Sequence, residues 1–331
     1  MAEAESQKQA QQGQVEEAEA GLLDQIVEQG RFGPDEKAQT RGRDMVKRFV
    51  SEVVQGSIQL SQNTETMLNA RIAQIDHLVS QQLNAILHDP EFQRLEANWR
   101  GLKYLMDQSE TGENLKIKVL NVTKKELLKD LQRAPEFDQS TLFKKVYEAE
   151  YGTFGGAPFA SLLGNYEFDK TGQDIELLEK VSQVAAASHA PFLTGASHNM
   201  FNLESYTELS VPRDLGKVFD TTEYAKWKAF RQSEDSRYVA LALPRMLLRD
   251  PYGTGGVPVE SFNYEEGIDG SNHNSYLWGN AAWALGARVT QAFAKHGWCA
   301  TIRGVESGGL VEGLPVHNYE TESGDIAMKC P

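Results

Sequence analysis

The chain has 331 residues, 40% hydrophobic and 24% charged, an ordinary balance for a water-soluble protein of two or three domains. Its formal net charge of −14 argues against bulk nucleic-acid binding, which needs a positive surface, and against attraction to anionic membranes. No apolar run reaches membrane-spanning length, so no direct membrane insertion is expected. Two cysteines, Cys299 and Cys330, are too few and too far apart for a disulfide framework or a close metal pair.

Residues 1–21 are rich in Gln, Glu and Ala with few apolar anchors, which predicts disorder and is not a signal peptide. Free thiols in an acidic chain then point to the cytoplasm. Leu22, Leu23, Ile26 and Val27 form a one-face apolar cluster on a short helix that Gly30, Gly33 and Pro34 end. It is either a docking peptide or a helix capping its own domain. Residues 42–60 read as a helix with Met45, Val46, Phe49 and Val50 on one side. The valine-rich stretch around 53–60 is open to a strand reading, and such a strand could pair with a neighbour's sheet edge.

Leu68, Ile72, Ile75, Val79, Leu83 and Ile86 advance by three or four, predicting an amphipathic helix over 64–87. Asp89 and Pro90 are an N-cap and first helical residue for a second helix, with Phe92, Leu95, Trp99, Leu102 and Leu105 facing inward. The pair makes a helical hairpin. Leu115, Ile117 and Val119 alternate with lysines, as in a strand wet on one face. Thr123 and Glu126 then form a capping box ahead of another helix.

Further helices are expected over 142–148, 174–188, 222–232 and 275–296, the last ended by Gly297. Strands are expected at 191–193, 237–243 and 298–302. This alternation predicts a mixed α/β (α+β) fold, with mixed sheets flanked by helices, a helical N-terminal region and an extended N-terminal arm. The expected divisions are an arm over 1–60, the hairpin over 61–110 and α/β domains over 111–331. No internal repeat is seen. A strand opening at Ile326 is expected to be cut short, as in a fragment of a longer protein.

Candidate chemistry is sparse. Gly152 to Gly156 lacks the lysine and serine of a phosphate loop and reads as a turn packed by Tyr151, Phe154 and Phe159. The seven histidines show no HxxxH or HExxH spacing, so no metal or other cofactor is expected. Cys299, His317 and Asp325 are the residue types of a thiol hydrolase, yet Cys299 lies in an apolar, strand-like stretch. Glu265, Glu266 and Asp269 could be one half of a carboxylate pair; capping or pairing with arginines is the plainer reading. Arg231, Glu234, Asp235, Arg237 and Arg245 form a charged group around a helix-to-strand junction. Bidentate ties there would fix domain geometry or cross a subunit interface. Trp227, Phe230 and Tyr238 beside them read as core.

Several blocks carry a family resemblance. They include LEANWRGLKYLM (95–106), YGTFGGAPF (151–159), VAAASHAPFL (184–193), VPRDLGKVFDTTEYAKWKAFRQSEDSRYVALALPR (211–245) and PYG (251–253). They continue with NHNSYLWGNAAWALGARVTQAFAKHGWCATIRG (272–304) and GLPVHNY (313–319). From about residue 40 onward the chain resembles the large subunit of the contractile sheath of bacterial type VI secretion systems. Ser307 departs from the pattern, standing where a further glycine is expected.

The resemblance implies a structural, non-enzymatic subunit. It would pair with a small sheath subunit and stack with other copies of itself as a helical tube around an inner tube protein. A baseplate would trigger contraction, and extended arms would donate strands to neighbours. Family members continue beyond the position of Pro331. The resemblance also implies that a recycling AAA+ unfoldase of the ClpV type binds an N-terminal helix, here mapped to Leu22, Leu23, Ile26 and Val27. Two other readings remain: a hydrolase using Cys299 and His317, and an adaptor that does not polymerise.

Overall fold

A computed structural model of the chain describes residues 36–54, 64–210, 214–253, 255–268, 273–315, 317–320 and 326–329. The chain divides into two compact units, one ending at Val79 and the other beginning at Ser80. The first holds helix α1 (Glu36–Val54) and most of α2 (Thr64–Leu87). Helix α1 runs through Val54, so the start of the valine-rich stretch is helical; residues 55–63 lie outside the described residues. Helix α2 has the bounds that its periodicity predicts. Its stripe is nonetheless open to solvent, with Leu68, Ile72, Ile75 and Val79 between 45% and 55% exposed.

The second unit opens with α3 (Pro90–Asp107), capped as expected: the Asp89 carboxylate accepts from the Glu91 and Phe92 N–H groups at 3.0 and 3.1 Å. The expected inward face is only partly inward. Leu105 is buried, whereas Leu95 and Trp99 are 54% and 66% exposed. Helix α4 (Lys124–Arg133) starts at the predicted capping box, Thr123 and Glu126 satisfying each other's backbone N–H. A helical turn, α5 (Thr141–Phe143), continues as a π-helix over Lys144–Tyr151. Helix α6 (Gly172–Ala187) buries Ile175, Leu178, Val181 and Val184.

Three parallel strands lie at the centre: β1 (Leu162–Phe168), β2 (Phe192–Ala196) and β3 (Val239–Ala242), in that order. Helix α6 crosses from β1 to β2, and the short α7 (Ala225–Gln232) precedes β3. Successive residues of a strand face opposite ways. Leu162 and Phe168 accordingly join the core around α6, while Leu163 joins the one around α3 and α8 (Ala282–His296). The sheet is therefore covered on both faces, which is why β2 is buried along its whole length. This is a mixed α/β fold. Two short antiparallel pairs complete it: β4 (Met246–Leu247) with β5 (Trp278–Gly279), and β6 (His317–Glu320) with β7 (Ile326–Lys329).

Four expected elements differ. Residues 115–122 form no strand and join no ladder; Leu115 and Ile117 are half-buried between exposed Lys116 and Lys118, but Val119 is 69% exposed, so the expected alternation stops short of it. The expected strand at 237–243 is shorter and only half-buried, because β3 is an edge strand and Arg237 and Tyr238 belong to a 3₁₀ turn. The long helix expected from 275 begins at Ala282. Asn280 stops it: its side chain accepts from the Ala282 N–H at 2.9 Å and donates to the Tyr166 carbonyl at 2.7 Å, holding β5 extended ahead of it. Gly297 does cap the end, at φ 65°. Residues 298–302 form no strand, and Trp298 is 73% exposed.

Candidate functional site

The charged group expected at 231–245 does not gather into one intrachain network. Arg245 leaves it altogether. Its Nε and Nη2 donate to the two Glu167 oxygens at 2.5 and 2.6 Å, tying the chain after β3 to the end of β1. The guanidinium lies over the Tyr206 ring at 5.0 Å, and the Tyr206 hydroxyl donates to the Ala196 carbonyl at the end of β2. Lys124 serves the same end of the sheet, donating to Asp174 and to the Glu167 carbonyl at 2.6 and 2.8 Å. Arg231 lies 5.8 Å over Trp227, and Arg237 donates to the Glu234 carbonyl at 2.7 Å. Among the described residues no ion pair joins Glu234 or Asp235 to these arginines. Trp227 and Phe230 are core, as expected. Leu22, Leu23, Ile26 and Val27 lie outside the described residues.

A stronger cluster sits where little was expected. Arg249 is buried, and its Nη1 and Nη2 donate to Glu266 at 2.6 and 3.1 Å while its Nε donates to Glu96 at 3.0 Å. Glu96 also accepts from Arg100, whose Nη2 donates to the Tyr252 hydroxyl at 2.8 Å. Glu266 further accepts from the Tyr252 N–H at 2.9 Å and meets His88 Nε2 at 3.2 Å. Burial pushes the Glu266 carboxyl up. Hydrogen bonds from Arg249 and the Tyr252 N–H outweigh this and hold it below the usual carboxylate range. The arginine-pairing reading therefore describes Glu266. The cluster fastens the 249–266 loop to the first half of α3, with Arg249 and Glu266 buried at its centre. Glu96 and Arg249 escaped notice because nothing in LEANWRG or LLRDPYG indicates that these two stretches meet.

The described residues give the hydrolase reading no support at its cysteine. Burial pushes the Cys299 thiol up, the reverse of an activated nucleophile. Cys299 is half-buried on an irregular stretch, not a buried strand. His317 lies on β6, and Asp325 lies outside the described residues. No group of three His, Cys, Asp or Glu able to hold a metal occurs among the described residues. No helix among them is long and apolar enough to cross a membrane.

The second unit leaves apolar surface open instead. A groove of about 710 Å³ is lined by the 113–122 stretch, residues 157–161, α3, β1 and α8. Leu102, Ile117, Leu163, Val289 and Phe293 line its walls. Leu95, Trp99 and Val119 stand around it, 54%, 66% and 69% exposed. Exposed apolar surface of this kind is one mark of a site that meets another molecule.

The family model described as VipB: EvpB/VC_A0108, tail sheath N-terminal domain, matches residues 69–331. Among curated proteins, the type VI secretion system sheath protein TssC1 of Pseudomonas aeruginosa is 45% identical over 297 residues, 88% of this chain and 60% of that protein. The chain thus spans about 60% of the length of that relative.

Proposed function

This chain belongs to the VipB tail-sheath family, and we propose that it acts as the large structural subunit of a type VI secretion contractile sheath. The observation that carries this reading is the 45% identity to a sheath protein over 88% of the chain. The open apolar surfaces on α2 and around the groove support it. A subunit of an assembly leaves such faces for its neighbours, while the buried Arg249–Glu266 pair acts as an internal brace. In this role the subunit has no catalytic task. Movement comes from two packings of nearly rigid subunits, and heterologous contacts that do not close build a helical tube.

The partners this role calls for are a small sheath subunit, further copies of the chain, an inner tube protein and a baseplate, in the bacterial cytoplasm. A ClpV-type unfoldase would recycle the contracted sheath by gripping Leu22, Leu23, Ile26 and Val27. Arg231, Glu234, Asp235 and Arg237 stand on the surface or half-buried, where they are available to a neighbouring subunit. The test is co-expression of the complete large subunit with the small subunit encoded beside it, followed by electron microscopy. Hollow tubes are expected. A discrete complex of fixed size would overturn the sheath role in favour of a non-polymerising adaptor.

A further inference from the structure

Helix α1 is open on nearly every side along its middle turns. Between Thr40 and Arg48 only Gly42 is buried and Val46 half-buried, and Met45 is 67% exposed. Arg41, Arg43, Lys47 and Arg48 stand exposed in this stretch beside a single carboxylate, Asp44, in a chain whose net charge is −14. Arg43 and Lys47 are like charges at i and i+4, which disfavours a helix standing alone. Most helical stability in a protein comes from packing one face. The sequence of α1 offers such a face, because Ala38, Gly42, Met45 and Val46 recur at the spacing of neighbours on one side.

The stretch ahead of α1 carries the complementary pattern. Residues 16–28 hold Glu16, Glu17, Glu19, Asp24 and Glu28 and no lysine or arginine. Gly30, Gly33 and Pro34 stand between the two stretches, turn residues in a connection short enough to make the helices it joins antiparallel neighbours. We propose that residues 16–28 lie antiparallel along α1, seating Leu22 and Ile26 on its Ala38–Gly42 face and setting their carboxylates against Arg41, Lys47 and Arg48.

The spacing supports this register. Counted outward from residue 32 at the rise of a helix, Glu16 and Glu17 come level with Arg48 and Lys47, and Asp24 with Thr40 and Arg41. Leu22 comes level with Gly42, and Ile26 with Ala38. Two large residues four apart thus meet two small ones four apart, and Gly42 has no side chain to hold the arm away. Because the arm is tethered, it meets α1 at a high effective concentration, so weak surface pairs suffice to hold it. The contact lies within one chain and does not depend on assembly. Its consequence rests on the sheath reading: Leu22 and Ile26 are among the residues proposed for the unfoldase to grip, so a chain whose arm lies on α1 withholds them.

Hydrogen exchange of the whole chain tests the contact, read at the amides of residues 22–28 and of α1, with the β2 amides as the control for folding. Both stretches should be protected, equally at every protein concentration, and high salt should lower that protection by screening the pairs. Glu16→Lys, Glu17→Lys and Asp24→Lys together should lower it by about tenfold, the combined effect of several surface pairs. Adding Arg41→Glu, Lys47→Glu and Arg48→Glu to the same chain should restore it. Gly42→Leu favours the helix locally but fills the seat, so it should strip protection from residues 22–28 by a similar factor. Unprotected amides over 22–28 in the parent would overturn the inference, as would indifference to the charge substitutions or failure of the reversed charges to recover. Protection that rises with protein concentration would place the arm on another molecule and overturn it equally. If Leu22→Ser lowers the protection of α1 yet leaves capture by the unfoldase unchanged, the contact stands and the docking role of the segment falls.

Discussion

The sheet-centred part of the chain and helix α2 use the same apolar residue types to opposite ends. Phe168, Leu178 and Val184 have no exposed surface, enclosed between α6 and the strands. Leu68, Ile72, Ile75 and Val79 repeat with equal regularity along α2, yet about half of each side chain is in water. Periodicity identifies the residues that share a face; it does not say whether the chain's own elements cover it. Residues of the first kind stabilise the fold; those of the second are left where another surface could cover them.

Substitutions sharpen this contrast in decreasing order of effect. Arg249→Met strands the buried Glu266 carboxylate and should cost about 3–5 kcal/mol in urea unfolding. The same variant carries a pH signature. The folded Glu266 pKa is depressed, so its contribution to stability is complete above the unfolded value of about 4.3 and is lost as pH falls through the folded value. The deficit of Arg249→Met relative to the parent should therefore narrow in acid. A deficit constant from pH 7 to pH 3 would mean that the ion pair is not its source.

Leu178→Ala, at a fully enclosed position, should lose about 2–5 kcal/mol by the same measurement. Gly101→Ala places a methyl group against the Trp283 indole where α3 meets α8. It should cost about 1–3 kcal/mol and shift tryptophan fluorescence. Thr123→Ala removes one half of the capping box at α4 and should cost about 1 kcal/mol in thermal unfolding. Ile72→Ser on α2 should change the chain's own stability by less than about 0.5 kcal/mol while reducing co-purification with the small sheath subunit. A large loss of monomer stability from Ile72→Ser would erase the contrast between the two regions.

Much of the fold could be read from local signals. The bounds of α2, the Asp89 and Thr123 caps, the Gly297 terminus and the β2 segment all follow from residues within a few positions of one another. Strand β1 escaped because Gly164, Asn165 and Glu167 interrupt its apolar pattern. Each is explained only by a distant partner: the Phe192 ring beside Gly164, Asn98 bonded to Asn165, and Arg245 bonded to Glu167. Strand β5 was hidden inside an apolar run that reads as helix throughout, until Asn280 reaches across to the Tyr166 carbonyl.

The amino-acid sequence by itself determined the bounds of α2, the Asp89, Thr123 and Gly297 caps, the class of fold and, through its long shared blocks, the family. These depend on backbone propensity and on side chains three or four residues apart, which interact whatever the rest of the chain does. Only the tertiary structure decided that Arg245 braces the end of β1, that Arg249 closes a buried cluster with Glu96 and Glu266, and that the stripe on α2 stays in water. Those outcomes depend on which surfaces meet across 78 to 153 positions of chain, as in the Glu167–Arg245 and Glu96–Arg249 pairs. Ion-pair geometry and burial are properties of that meeting, and no local pattern encodes them.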